Sequence, residues 1–223
     1  MHGAHRPRLL AVEGVSKAYG TGSARAVVLE SVDLAVRTDE KVSLVGPSGA
    51  GKSTLLSLIA GLIQPDAGHI SIGGVAMEDV DDTGRAALRA EHVGVVLQSD
   101  NLVPFLTALE NVELAMGFTG REQRDRAREL LTALGVDERR DHLPRHLSGG
   151  EAQRVSIAVA LANEPALLLA DEVVGQLDSA TADHVVDVIF GAELAVLFVT
   201  HDEALAARGE RQLRLVDGSV VEL

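Results

Sequence analysis

The sequence predicts an α/β fold built on a mainly parallel β-sheet, with an antiparallel side sheet and a helical subdomain. Apolar strand-like segments alternate with helical ones along the chain, which is typical of parallel α/β cores. Residues 166–170 are continuously apolar, as expected of a strand whose sheet is covered on both faces. Val32, Leu34 and Val36 instead alternate with polar or small residues, which predicts a half-buried strand of an antiparallel sheet.

The remaining elements follow from apolar periodicity and from turn residues. In chain order, strands are predicted at residues 9–15, 32–36, 41–45, 70–72, 93–97, 166–170 and 195–200, with turns at 20–23 and 65–68. Helices are predicted at residues 52–61, within residues 107–134, which are mainly helical, at 150–163 and at 179–190, with a short helix after residue 200. Pro165 ends the third of these helices, and Asp217-Gly218 is the turn of a terminal hairpin.

The 223 residues have room for one large α/β domain or two small ones, and we predict a single domain. Its core and side sheet are predicted at residues 9–97 and 164–223, and the helical subdomain at 98–163. Residues 1–8 are basic and contain histidine. No apolar h-region follows them, because Glu13 and Lys17 interrupt the apolar residues, and we predict that residues 1–8 are disordered rather than a signal peptide.

The region at 107–134 carries one clear helical face. Ala127, Leu130, Leu131 and Leu134 recur at the spacing i, i+3, i+4 and i+7, so they are predicted to be buried together. The rest of this helix is rich in charged side chains, which predicts a face in contact with solvent.

Composition excludes several classes of function. The chain has no cysteine, which excludes a disulfide framework, a cysteine-ligated zinc site and a thiol nucleophile. Its 33 acidic and 20 basic side chains give a net charge of −13, and clustered positive charge is what binds phosphate backbones, so no nucleic-acid partner is expected. No apolar segment approaches the roughly 20 residues that span a bilayer, which predicts a cytoplasmic chain.

The strongest motif is G-x-x-x-x-G-K-[ST] at residues 46–53, between a predicted strand and a predicted helix. Glycines let backbone N–H groups turn toward phosphates, and the helix N-terminus adds its positive dipole. Lys52 is predicted to reach the β- and γ-phosphates and Ser53 to bind Mg²⁺, which makes the chain a P-loop NTPase; the alternative is a glycine-rich turn with an exposed lysine. The predicted nucleotide-binding residues of this Walker A segment are Gly46, Pro47, Ser48, Gly49, Ala50, Gly51, Lys52, Ser53 and Thr54.

Two carboxylates follow the apolar strand at 166–170. Ligands of nucleotide-binding α/β sheets lie at the carboxyl ends of the strands, where Asp171 and Glu172 are placed. Asp171 is predicted to hold Mg²⁺ and Glu172 to polarise the attacking water. The alternative is a solvated strand end.

The segment at 147–151, Leu-Ser-Gly-Gly-Glu, resembles the signature of the ABC ATPases. The motif order is also theirs, with Walker A, then Gln98, the signature, Walker B at 167–172 and finally His201. The resemblance extends over residues 9–223. Residues 137–147 and 215–218 are most similar to the lipoprotein-release and macrolide-exporter branch, in which a small ATPase subunit serves a separate membrane permease.

The residues of the signature segment can also be interpreted without the family resemblance. Ser148 is a suitable N-cap, and Gly149 and Gly150 present unobstructed N–H groups at a helix start, so the segment is either an ordinary capped helix or a phosphate site. The resemblance implies that Ser148, with Gly149, Gly150 and Glu151, binds the γ-phosphate of ATP held by a second copy. Two copies would then enclose two ATP molecules head to tail.

Four more residues have roles implied by the resemblance. Gln98 would sense Mg²⁺ and the γ-phosphate, or else is a polar loop residue. His201 would donate a hydrogen bond to the γ-phosphate and act with Lys52 and Glu172 in catalysis. Tyr19 would stack on adenine, the alternative being a partly buried strand aromatic. Asp178 would cross the dimer interface.

Three positions depart from the family pattern. Val173-Val174 replace the usual Pro-Thr or Pro-Ser after the glutamate, Val159 stands where an arginine is common, and Ala152 replaces a common glutamine. None of these changes removes a predicted phosphate or Mg²⁺ ligand.

These observations predict an ATP-hydrolysing subunit that couples Mg–ATP hydrolysis to a separate membrane permease, of export or lipoprotein-release type, on the inner face of the cell membrane. The alternative is an ATP-dependent regulatory or cell-division module that acts on a membrane partner without transport. A role in DNA repair or translation is disfavoured by the net charge and by the lack of a coiled-coil insertion or a tandem ATPase domain. A protein that binds nucleotide without hydrolysis is disfavoured by Glu172 and His201.

Overall fold

The computed structural model describes residues 6–97, 101–118 and 124–223. The strands are β1 (Arg8–Tyr19), β2 (Ala26–Arg37), β3 (Lys41–Val45), β4 (Ala67–Ile72), β5 (Val75–Ala76), β6 (Val93–Val96), β7 (Leu167–Asp171), β8 (Ala195–Val199), β9 (Arg211–Val216) and β10 (Ser219–Glu222). The helices are α1 (Lys52–Ile59), α2 (Asp82–His92), α3 (Ala108–Gly117), α4 (Arg124–Ala133), α5 (Gly149–Leu161), α6 (Ser179–Gly191) and α7 (Glu203–Ala206).

Two sheets form the framework. The six-stranded sheet has the order β10-β9-β3-β8-β7-β6, and all its neighbours pair in parallel except the terminal hairpin β9–β10. That hairpin turns at Asp217-Gly218, as predicted. The second sheet is antiparallel throughout, with the order β2-β1-β4-β5. The predicted mainly parallel core and antiparallel side sheet are therefore both confirmed.

The parallel sheet is covered on both faces. All five residues of β7 are buried, and alternate residues join different hydrophobic cores. Leu167 and Leu169 pack with α1 and the antiparallel sheet, whereas Leu168 and Ala170 pack with the helices α3 to α6. Among the described residues, Phe198 is the one aromatic side chain that is fully buried, so the cores are aliphatic, as the composition indicates.

Residues 107–134, predicted to be mainly helical, contain α3, which ends at Gly117, and α4, which is described from Arg124. The face predicted from spacing is correct, since its four residues are all buried in the core that contains α5. Residues 98–100 lie outside the described part of the chain, so the boundary of the helical subdomain at residue 98 stays a prediction.

Helix α2 was not predicted from the sequence. Asp81 caps its N-terminus by accepting a hydrogen bond from the Gly84 N–H, but the helix buries no residue completely. Its apolar residues are three alanines and Leu88, so it lacks the run of large apolar side chains from which the other helices were predicted. Among the described helices, none is long and apolar enough to cross a membrane.

Candidate functional site

The carboxyl ends of β3, β7 and β8 meet at one edge of the parallel sheet, where an open cleft of about 590 Å³ lies. Parallel α/β sheets place ligand sites at this edge. The cleft is lined by Val28, Gly46, Ser48, Gly49, Gly51, Lys52, Ser53, Thr54, Asp171, Glu172 and His201. The fold thus brings together three predicted segments that are far apart in the sequence.

The loop at 46–53 requires glycine at two close approaches. A Cβ at Gly46 would lie 2.3 Å from the carbonyl oxygen of Leu215, and a Cβ at Gly51 would lie 2.8 Å from the Val28 side chain. Gly51 has a φ of 102° and caps α1 without a side-chain hydrogen bond. The first-turn N–H groups of α1 therefore face the cleft without a side-chain acceptor from the cap, as an anion site needs. Pro47 and Ala50 form a turn within the loop, with the Ala50 N–H donating to the Pro47 carbonyl.

Lys52 and Ser53 are held by neighbouring groups. The Lys52 Nζ donates to the carbonyl oxygens of Gly46 and Pro47, at 2.8 Å each. The Ser53 hydroxyl donates to Asp171 Oδ2 at 2.6 Å. A hydroxyl beside a carboxylate is an oxygen donor set that suits Mg²⁺, which takes few protein ligands and completes its shell with water and phosphate.

Glu172 and His201 form a pair at the mouth of the cleft. His201 Nδ1 lies 3.1 Å from Glu172 Oε1, and since a carboxylate oxygen accepts, Nδ1 is the donor. Glu172 has a φ of 52°, in the left-handed region, and its N–H donates to the Val199 carbonyl of β8. A non-glycine residue in this region is strained, which is a frequent property of functional positions.

The loop after Glu172 accommodates the two valines that depart from the family pattern. Val173 is buried in the core of the helical side, and Val174 packs partly against it. The loop is closed by hydrogen bonds from the Gly175 N–H to the Glu172 carbonyl and from the Leu177 N–H to the Val174 carbonyl. A proline at residue 173 or 174 is therefore not needed to form the turn in this chain.

Asp178 caps helix α6 in this chain. Its carboxylate accepts hydrogen bonds from the hydroxyl and the N–H of Thr181, and these bonds lower its pKa. Asp178, which is predicted to cross the dimer interface, thus also has a hydrogen-bond partner in its own chain.

The signature segment lies apart from the cleft of its own chain. Ser148 caps α5 by accepting from the Glu151 N–H, and the Glu151 carboxylate accepts from the Ser148 N–H at 2.7 Å and from Arg139 Nε at 2.8 Å. The Ser148 N–H first, and then Arg139, lower the pKa of Glu151 to about 2. Gly149 lies against Gln176, where a Cβ would come within 2.6 Å of the amide oxygen. None of residues 148–151 lines the cleft.

Tyr19 ends strand β1 opposite Ala26 and is 46% exposed. Val28 of the neighbouring strand β2, two residues after the Tyr19 partner Ala26, lines the cleft, whereas Tyr19 does not. Gln98 falls outside the described residues. Val28 was missed because an apolar strand residue carries no motif.

The comparisons with known proteins agree with this geometry. The sequence pattern of the ABC transporter family matches residues 29–175, about two thirds of the chain. The chain belongs to the ABC transporter family. The resemblance inferred from the motif order is thereby confirmed, and with it the class of ATP-hydrolysing, ATP-binding subunits.

Relatives of this ABC subunit match over almost their whole length. The lipoprotein-releasing system ATP-binding protein LolD of Cereibacter sphaeroides is 47% identical, with 96% of this chain and 99% of LolD covered. The ABC transporter ATP-binding protein YbbA of Escherichia coli (strain K12) is 44% identical, with 96% and 97% covered. The dimeric ATP-binding cassette MJ0796, in a post-hydrolysis state with ADP and Pi, has a TM-score of 0.91 at 39% identity and covers 96% of this chain and 98% of its own.

Proposed function

We propose that this ABC subunit hydrolyses Mg–ATP and couples that reaction to a separate permease of export or lipoprotein-release type. The observation that carries the proposal is the meeting of Lys52, Ser53, Asp171, Glu172 and His201 around one cleft. The likeness to LolD supports the coupling to lipoprotein release, because that name describes a releasing system. A cell-division or regulatory role uses the same cleft and differs only in the membrane partner.

The phosphates bind at the start of α1 in this proposal. Backbone N–H groups of the loop and the helix dipole attract the phosphate oxygens. Lys52 exchanges its two carbonyl partners for phosphate oxygens, which are better acceptors because they are charged.

Ser53 and Asp171 hold Mg²⁺ in this proposal. The Ser53 hydroxyl and the Asp171 carboxylate, which lie within hydrogen-bond distance of each other, would hold the ion, with Gln98 as the predicted further ligand. The ion supplies neutralisation of the phosphate charge.

Glu172 orients the water that attacks the γ-phosphorus, and the bond to the bridging oxygen of ADP breaks. His201 holds the Glu172 carboxylate through Nδ1. To donate from Nε2 to the γ-phosphate at the same time, the imidazole must carry both protons, since the neutral ring has a single N–H.

A second copy completes each site in this proposal. Residues 148–151 do not line the cleft of their own chain, and two helix N-termini facing one γ-phosphate form a suitable anion site. The dimeric cassette MJ0796, with ADP and Pi bound, supports this arrangement.

The permease contacts an apolar groove in this proposal, which places the subunit on the inner face of the cell membrane. The groove has a volume of about 680 Å³ and lies between α2, β6 and α5. Leu62 and Phe118 stand at it with 48% and 73% of their surface exposed. Large apolar side chains exposed together are typical of a protein contact.

Affinity purification of the tagged subunit from membranes tests the proposal. The wild type should retain a permease, and Leu62→Glu should lose it while the isolated subunit keeps its ATPase rate. The control is Leu223→Glu, which places the same charge at an exposed leucine outside the groove. Recovery of a DNA-repair complex or a cell-division complex instead of a permease would overturn the transport role.

A further inference from the structure

The Asp66 side chain forms a hydrogen bond with the end of strand β1, just before Tyr19. The last backbone pair between β1 and β4 is Ser16 with Ala67, and next to it the Asp66 N–H donates to the Ser16 carbonyl at 2.9 Å. Strand β4 begins at Ala67, so it pairs with no residue of β1 beyond Ser16. The Asp66 side chain continues the contact instead, because its Oδ2 accepts the Ala18 N–H at 2.8 Å.

Lys17 forms further contacts between β1 and the loop that contains Asp66. Its Nζ donates to Asp66 Oδ1 at 3.0 Å and to the Gln64 carbonyl at 2.7 Å, and its side chain is only 16% exposed. The same ammonium lies 5.8 Å from the centre of the Tyr19 ring, within the range of a cation–π contact. Lys17 therefore contacts both Asp66 and the aromatic ring.

The Asp66 carboxylate is held in its charged form. The Ala18 N–H, followed by Lys17, lowers its pKa below the usual value, so the group remains an acceptor at neutral and mildly acidic pH. Residues 64–66 also belong to the loop that leads from α1 to β4. The contacts thus join the strand that ends at Tyr19 to the helix that begins at the phosphate-binding loop.

We propose that Asp66 and Lys17 are positioning residues for nucleotide binding, which hold the Tyr19 ring at the rim of the cleft so that it stacks on the base. The inference rests on the proposed function, since it needs the triphosphate to lie at the loop of residues 46–53. An aromatic ring at an exposed strand end loses freedom when a base stacks on it, and holding it beforehand reduces that cost. Asp66 and Lys17 do not touch the phosphates in this arrangement.

Binding of ATP and of inorganic tripolyphosphate, each with Mg²⁺, separates base contacts from phosphate contacts. Competition with a fluorescent ATP analogue measures both affinities. Asp66→Ala should weaken ATP binding roughly threefold to tenfold, as expected for the loss of one preorganised side chain, and leave tripolyphosphate binding unchanged. In hydrolysis, KM should rise by the same factor while kcat at saturating ATP stays within about twofold.

A double-mutant cycle shows whether Asp66 acts through the ring. In a Tyr19→Ala background, Asp66→Ala should have no additional effect. Asp66→Asn should lie between the wild type and Asp66→Ala, because its amide oxygen still accepts from Ala18 but no longer carries charge opposite Lys17. Glu13→Gln is the control, since Glu13 forms an ion pair with Arg8 on the same strand, away from Tyr19, and should change neither affinity.

Equal weakening of ATP and tripolyphosphate by Asp66→Ala, or a full effect in the Tyr19→Ala background, would overturn the inference. A wild type that binds ATP no more tightly than tripolyphosphate would also overturn it, while the proposed function would stand. A wild type that binds neither ligand would refute the proposed function as well.

Discussion

The Lys52 ammonium is bound by two carbonyls of its own loop, Gly46 O and Pro47 O. This arrangement keeps the charge at the cleft wall, where a triphosphate can exchange for the carbonyls. Among the chain's other lysines, Lys41 is buried at 7% exposure and donates to the Ala192 and Leu194 carbonyls. Desolvation lowers the pKa of Lys41, and its partners make it a structural residue.

Lys52→Ala should weaken ATP binding by a factor on the order of 10² or more, because a charge-assisted contact to the phosphates is lost in the cleft. Titration with a fluorescent ATP analogue measures the effect. The matched control is Arg8→Ala, which removes one positive charge at the exposed beginning of β1 and should leave the affinity unchanged. Unchanged affinity in Lys52→Ala would mean that the loop at 46–53 does not hold the phosphates.

The N-termini of helices α1 and α5 are capped differently. The N-cap of α1, Gly51, makes no side-chain hydrogen bond, whereas α5 begins with a capping box between Ser148 and Glu151. Arg139 adds an ion pair to the Glu151 carboxylate, whose side chain is 19% exposed. The box stabilises the start of α5 within the subunit, independently of any ATP bound by a second copy.

Glu151→Gln should remove an acid-dependent part of the stability. The folded pKa of Glu151 is about 2 against an ordinary value of 4.5, so its contribution is complete above about pH 4.5 and disappears as the pH falls toward 2. Glutamine keeps the acceptor for the Ser148 N–H but loses the charge. Urea unfolding over a pH series should show wild type and variant converging below pH 4.5. A stability difference that does not depend on pH would contradict the assigned pKa.

At the scale of the whole molecule, the cleft and the signature belong to different parts of one chain. The hydrophobic core on the α1 side supports the phosphate loop, and the core on the helical side supports α5. Strand β7 contributes to both, and Glu172 follows it directly. The loop from Glu172 to Leu177 connects them, because Gly150 lies against Leu177. This loop thus links the cleft of one chain to its signature segment, which is proposed to complete the ATP site of the second copy.

Glu172→Gln should bind ATP, fail to turn over and accumulate as an ATP-dependent dimer. The substitution keeps size and hydrogen bonding but removes the carboxylate that orients water, so the rate should fall on the order of 10²-fold or more. Light scattering with and without ATP, in the absence of Mg²⁺, measures the dimer.

Glu193→Gln is the control for this variant, since Glu193 is an exposed carboxylate before β8, at the opposite end of the strand from the cleft. It should hydrolyse ATP at the wild-type rate. If the Glu172→Gln variant stays monomeric at saturating ATP, the permease has to hold the two subunits together. Wild-type turnover in Glu172→Gln would contradict its role as the water-orienting residue.

Local sequence signals were sufficient for much of the fold and the site. Apolar runs and turn residues predicted the strands of the two sheets, the hairpin at Asp217-Gly218 and the buried face of α4, because these elements leave patterns among neighbouring residues. The glycines and Lys52 of the loop at 46–53 predicted a phosphate site for the same reason. Helix α2 was not predicted because its apolar residues are three alanines and Leu88, too few large side chains to stand out in the sequence.

Contacts between distant residues were decided only by the tertiary structure. The sequence by itself determined the family motifs, the aliphatic cores and the acidic, cysteine-free character of the chain. It could not place Val28 in the cleft wall, pair His201 with Glu172 or join Asp66 to the strand before Tyr19. These contacts connect residues from about 20 to about 50 positions apart, and side chains at such separations leave no periodic signal. The contacts form because strand pairing and core packing bring these segments together, which is a property of the folded chain.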